Sequence, residues 1–167
     1  MGGITLKLKF NMIVLVSCLI LLLSGCTKPN VKQIVKPFED ITIDTTKRIE
    51  FSNFTIRSNQ NESGRSKIIT NTQDMQDIAI YLKTISCIES NQKEKDPDFT
   101  ISFINNTEKA KSYIYSIGVS KNQIYVYKYK GNETAKFVYK YTDSKVTEEL
   151  RKLYNSLNYR EVLLIKK

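Results

Sequence analysis

Phe99-Thr-Ile-Ser-Phe-Ile104, Tyr113-Ile-Tyr-Ser-Ile-Gly-Val119, Ile124-Tyr-Val-Tyr-Lys-Tyr-Lys130 and Thr134-Ala-Lys-Phe-Val-Tyr-Lys-Tyr141 are four runs rich in β-branched and aromatic residues. The links between them contain Asn105-Asn106-Thr107, Ser120-Lys121-Asn122-Gln123 and Gly131-Asn132-Glu133. Links so short and so rich in turn residues join antiparallel neighbours, so the four runs predict a β-meander.

Upstream, Arg48 to Phe51 and Phe54 to Arg57 alternate apolar with polar residues, giving a strand with an irregularity at Ser52-Asn53. A polar loop, 58–66, precedes a short strand at 67–70. The clearest helix follows. Asn71 or Thr72 caps it, Asp74 and Asp77 lie in its first turns, and Met75, Ile78, Ala79, Leu82 and Ile85 share one face. A charged loop, 89–98, contains Pro97. Downstream, 143–157 places Val146, Leu150, Leu153, Tyr154 and Leu157 on one side of a second helix, and Glu161 to Ile165 reads as a last strand. The expected fold is α+β, an antiparallel meander with two helices packed on one face, in a single domain over 46–167.

The last hairpin is the most unusual segment. Tyr125, Tyr127 and Tyr129 share one side of their strand, and Val126, Lys128 and Lys130 take the other. With Gly131 to Glu133 as the turn and Lys130 facing Thr134, Tyr127 opposes Phe137, Tyr125 opposes Tyr139 and Lys128 opposes Lys136. That register gathers Lys128, Lys130, Lys136 and Lys140 into a cationic side, a candidate anion-binding surface. Tyr125, Tyr127, Tyr129 and Tyr139 form a candidate aromatic platform for sugar rings or peptide. The register strains against the strand before it. Pairing Val119 with Ile124 puts Ile117 beside Val126 and Tyr115 beside Lys128, sending an apolar side toward a cationic one, and a bulge or one-residue slip would relieve this.

At the N terminus, Lys7 and Lys9 precede an apolar run from Phe10 to Leu23, broken only by Asn11, Ser17 and Cys18, and the first acid is Glu39. This is the layout of a secretory signal, too short for a confident bilayer-spanning helix. Leu23-Ser24-Gly25-Cys26 resembles the lipobox of bacterial lipoproteins. The resemblance implies cleavage after Gly25, diacylglycerol on the Cys26 thiol, and residence on the extracytoplasmic face of the cell membrane. Residues 1–25 would be the signal peptide and 26–45 the lipidated N terminus and a tether, partly packed around Phe38 and Ile41. The pattern along the whole chain is also similar to small uncharacterised lipoproteins of Gram-positive, clostridia-like bacteria, which bring no catalytic residues with them.

Composition narrows the function further. There is no histidine, which excludes Ser-His-Asp and Cys-His catalysis and His-ligated metal sites, and three cysteines cannot build a disulfide framework. With Cys18 lost and Cys26 lipidated, Cys87 is left as a buried small hydrophobe. Loss of residues 1–25 leaves 24 basic against 17 acidic side chains, so the mature chain keeps a charge of +7. Asp74 with Asp77, Asp96 with Asp98 and Glu148 with Glu149 are paired acids of the kind a carboxylate-dependent cell-wall hydrolase needs, but each pair reads better as helix-start, loop or solvated-surface charge. The expectation is a non-enzymatic binding or accessory module of the cell envelope, with no metal and no cofactor beyond its lipid. Its partners would be the membrane, anionic lipid or wall polymer, or an envelope protein, and not nucleic acid. A purely structural or regulatory envelope protein is the other alternative.

Overall fold

The computed structural model describes residues 33–59, 62–106 and 112–166, and Gln33–Lys167 forms one compact unit. The lipobox, Cys26 and the expected signal peptide lie outside the described residues. The strands are β1 (Ile34–Val35), β2 (Arg48–Asn59), β3 (Glu62–Ile69), β4 (Cys87–Glu89), β5 (Phe99–Ile104), β6 (Tyr113–Ser120), β7 (Gln123–Lys130), β8 (Glu133–Tyr141) and β9 (Glu161–Lys166). Helix α1 is Thr72–Thr84 and α2 is Val146–Ser156. Among the described residues the strands form a nine-stranded sheet in the order β1-β4-β8-β7-β6-β5-β2-β3-β9, antiparallel at every pairing. The fold is therefore α+β, and β5 to β8 are the expected meander.

Register sorts the side chains into two sides. Ile49, Phe51, Ile69, Ile101, Phe103, Ile117, Val119, Ile124 and Val126 share one side by their pairing, and all are buried in one cluster. The same cluster holds Met75, Ile78, Ala79 and Leu82 of α1, Val146, Leu150 and Tyr154 of α2, and Phe38 and Ile41 of the N-terminal segment. Each such side chain, fully buried, contributes roughly 1.5–3 kcal/mol of transfer free energy. Phe51 is central, with its ring edge-on to Phe99 at 6.2 Å and to Tyr154 at 5.2 Å. Asn71 caps α1 by accepting from the backbone N–H groups of Gln73 and Asp74.

Four expectations need correction. The loop over 58–66 is instead a hairpin: β2 runs to Asn59 and pairs with Glu62, across register shifts between Asn53 and Asn59. Gly64 takes φ +75 there, a left-handed conformation that glycine accepts without strain. The segment expected as a tether is folded already from residue 33, where β1 pairs with β4, while the expected packing around Phe38 and Ile41 is present, both being fully buried. Helix α2 begins at Val146 rather than Asp143, whose carboxylate accepts from the Lys145 N–H just ahead of the helix.

The fourth correction is in the last hairpin. Its turn is two residues, Gly131-Asn132, with Gly131 at φ +60, so Lys130 faces Glu133. Every partner on β8 moves by one residue, and a one-residue move reverses the side of the sheet. Tyr127 then opposes Lys136, Tyr125 opposes Val138, Ile124 opposes Tyr139 and Lys128 opposes Ala135. The β6–β7 register stands as derived, with Ile117 beside Val126 and Tyr115 beside Lys128. The slip that relieves the conflict thus lies one hairpin later, and this side of β7 is apolar where it meets the core and cationic only beyond it.

Candidate functional site

The register divides the four lysines. Lys128 and Lys130 lie on the core side of the sheet, and Lys136 and Lys140 on the other, so the four do not form one cationic face. Lys128 pairs with Asp40 at 2.6 Å and sits 5.7 Å from the Tyr115 ring centroid. Lys136 pairs with Glu94. The tyrosines divide as well. Tyr125, Tyr127 and Tyr129 share the side opposite the core, whereas Tyr139 lies on the core side, stacked on Phe137 with centroids 6.4 Å apart. Tyr129 packs against Tyr113 at 5.6 Å.

The candidate site is built where the loop of residues 90–98 crosses the tyrosine side. Polar composition and Pro97 keep this segment out of regular structure, yet its ends are fixed. The Ser90 N–H donates to the Val138 carbonyl on β8, and the Asp98 N–H donates to the Val119 carbonyl on β6. Between these points the strap passes over β7. Gln123 Nε2 donates to Gln92 at 2.8 Å, the Tyr125 hydroxyl to the Lys95 carbonyl, and the Tyr127 hydroxyl to Glu94 Oε1 at 2.6 Å. Lys136 Nζ donates to Glu94 Oε2 and lies 5.5 Å from the Tyr127 ring centroid. Both oxygens of the Glu94 carboxylate are therefore held, one by a phenol and one by an ammonium.

The electrostatics follow from this arrangement. Partial desolvation acts to raise the Glu94 carboxyl, but the hydrogen bonds from Lys136 and Tyr127, with the Lys136 charge, outweigh it and hold the group below its ordinary range. Lys136 is raised, chiefly by its hydrogen bond to Glu94. Desolvation, then the hydrogen bond to Glu94, raises Tyr127. Burial, then the Glu94 charge, pushes the Tyr125 phenol up to about 12. At neutral pH the two tyrosines are hydrogen-bond donors, not anions.

Beside the strap, this side of the sheet carries hydroxyls. Ser52 donates to Ser66 at 3.0 Å, the Ser102 and Ser116 oxygens are 2.7 Å apart, and pairing sets Ser116 directly beside Tyr127. The residues the sequence reading missed are those of the strap, Glu94 above all. The alternation Lys93-Glu94-Lys95-Asp96 carried the only signal, and it says nothing about which tyrosine the loop would meet.

Two of the three acid pairs are occupied elsewhere, and Asp96 and Asp98 lie in the strap itself. Asp74 accepts from the Tyr159 hydroxyl at 2.5 Å, Asp77 from Gln73 at 2.8 Å, and Glu148 and Glu149 both pair with Lys152. Among the described residues, two clefts lie away from the strap. One, of about 430 Å³, runs between residues 41–44 and α1, and the other, of about 420 Å³, lies between the end of α1 and the start of α2. In the second, burial, then the charges of Glu149 and Asp143, pushes the Tyr81 phenol up to about 12. Among the described residues no group of three or more Cys, Asp or Glu side chains is placed to hold a metal ion, and no helix is long and apolar enough to cross a membrane. The chain matches no protein family, no curated protein and no solved structure, so the functional reading of the folded unit rests on this geometry.

Proposed function

We propose that the chain is a lipoprotein anchored through Cys26 on the extracytoplasmic face of the cell membrane, and that its folded unit is a non-catalytic binding or accessory module of the cell envelope. The observation that carries the binding role is the division of labour between the two sides of the sheet. In this reading both helices pack on one side. Supporting it, Tyr154 of α2 meets Phe51, Lys67 donates to the end of α2, and the Tyr81 hydroxyl of α1 donates to the Val146 carbonyl of α2. The other side then presents the tyrosines and the polar strap on a rigid scaffold, with Ser116 half-buried beside them; Ser52, Ser66 and Ser102 are buried there, and Ile68, Val162 and Leu164 are exposed toward its β3–β9 edge. Anchoring would keep this surface near its ligand. Two acyl chains hold a protein on a membrane where one does not.

The test is capture from intact membranes with the full chain as bait, run beside turnover assays on cell-wall material. The proposal expects an envelope component retained by the wild-type chain and lost with Ser116→Phe, which blocks the serine side, and no turnover. Turnover of wall material would establish the hydrolase alternative instead. Retention unchanged by Ser116→Phe would contradict the assigned surface.

A further inference from the structure

We propose that Tyr127 and Lys136 form a carboxylate subsite for an extended acidic peptide, and that the strap of residues 90–98 fills it in cis as a displaceable stand-in. This rests on the reading of the strap side as a binding face and names the ligand class it takes. The strap shows what the site recognises. One residue presents a carboxylate gripped at both oxygens, by the Tyr127 hydroxyl at 2.6 Å and by Lys136 Nζ. The next residue presents its main-chain carbonyl to the Tyr125 hydroxyl. An acidic side chain followed by a recognised peptide carbonyl is the chemistry of a polypeptide, not of a sugar phosphate.

The bonds that hold the middle of the strap are polar, although it also lies over the Tyr125 ring, which is buried. Residues 91–96 are all exposed, so no apolar side chain anchors its middle, and an exposed ion pair contributes little where both groups are well hydrated. Underneath, Gln123 is fully buried, and its Oε1 has no hydrogen-bond partner among the described residues, although its Nε2 reaches Gln92. A buried acceptor without a donor is unfavourable. A ligand that brings an N–H to Gln123 as well as a carboxylate to Lys136 satisfies the site better than the strap does.

The test uses a fluorescently labelled peptide of the strap itself, Ser-Asn-Gln-Lys-Glu-Lys-Asp-Pro-Asp, and a control peptide in which glutamine replaces the glutamate. Each is titrated by polarisation into the full chain as wild type, Glu94→Ala and Glu94→Ala with Lys136→Met, with circular dichroism confirming that every variant is folded. Removing the cis competitor should tighten binding of the glutamate peptide about fivefold over wild type, the upper end for an exposed ion pair. The control peptide should bind weakly, and Lys136→Met should abolish the difference between the peptides. No binding to Glu94→Ala, equal affinity for the two peptides, or displacement by inorganic phosphate at equal concentration would each overturn the proposal. Those outcomes leave the broader binding role to be judged separately, by the Ser116→Phe experiment.

Discussion

The Lys67 ammonium, carried on β3, closes the C-terminal end of α2 by donating to the Leu157 carbonyl at 2.7 Å. It also donates to the Tyr154 carbonyl at 2.8 Å and lies 4.6 Å from the Tyr154 ring centroid. A helix end leaves carbonyls without intrahelical partners and carries partial negative charge, so a buried lysine is stabilised there where it would otherwise be costly. Lys67→Met keeps most of the stem but removes the donor. The expected loss is about 2 kcal/mol, read as a lower urea midpoint at unchanged slope; an unchanged midpoint would show that the contact is not made.

Gly118 faces Tyr125 across the β6–β7 pair, and a Cβ at that position would lie 2.0 Å from a Tyr125 ring carbon. Gly118→Ala should destabilise the fold by roughly 1–3 kcal/mol through overpacking. In a Tyr125→Ala background the same change should cost almost nothing. A double-mutant cycle by chemical denaturation measures the difference, and additive effects would place the ring elsewhere.

Burial pushes the Cys87 thiol up to about 12, and the side chain is fully buried. At pH 8 an ordinary thiol is partly ionised, whereas this one is neutral and shielded. In a Cys18→Ser/Cys26→Ser chain, alkylation at pH 8 should be negligible until denaturant unfolds the protein. Rapid stoichiometric labelling of the native state would contradict the placement of β4.

Because the folded-state pKa of Glu94 is depressed, its contact with Lys136 is favourable above the ordinary carboxylate range and is lost as pH falls through the lowered value. Lys136 works in the opposite sense. Its raised pKa makes the contact favourable below the ordinary lysine range and lost as pH rises through the raised value. The strap should therefore stay docked across neutral pH. Carbon-detected NMR of the Glu94 carboxyl should report a midpoint below that of an unperturbed glutamate, and a midpoint at or above it would show the strap undocked.

Much of the sheet was legible because its signals are local. The alternation in β5 to β8 and the polar turn residues between them place those strands to within one residue at either end, and the Asn71 cap with the spacing of Met75, Ile78 and Leu82 places α1. What escaped is non-local or too short to show a period. Strands β1 and β4 have two and three residues, and their pairing depends on the chain returning from α1. The hairpin turn differs from expectation by one residue, and that residue moved Lys136 to the tyrosine side. Glu94 and Asp40 reach their lysines across 42 and 88 positions of sequence, a relation that no local pattern encodes.

Lipid anchoring through Cys26 is tested by fractionation. Cys26→Ala should appear in the soluble fraction or accumulate as uncleaved precursor, and normal processing with full membrane retention would refute the anchor.

The most direct test of the binding surface is site-specific photo-crosslinking in intact cells, with a photoreactive residue placed either at Thr100, on the strap side of the sheet, or at Lys152, exposed on α2. The account predicts an adduct from position 100 that Ser116→Phe suppresses, and none from position 152. Adducts from position 152 alone would contradict it and move the working surface to the helices.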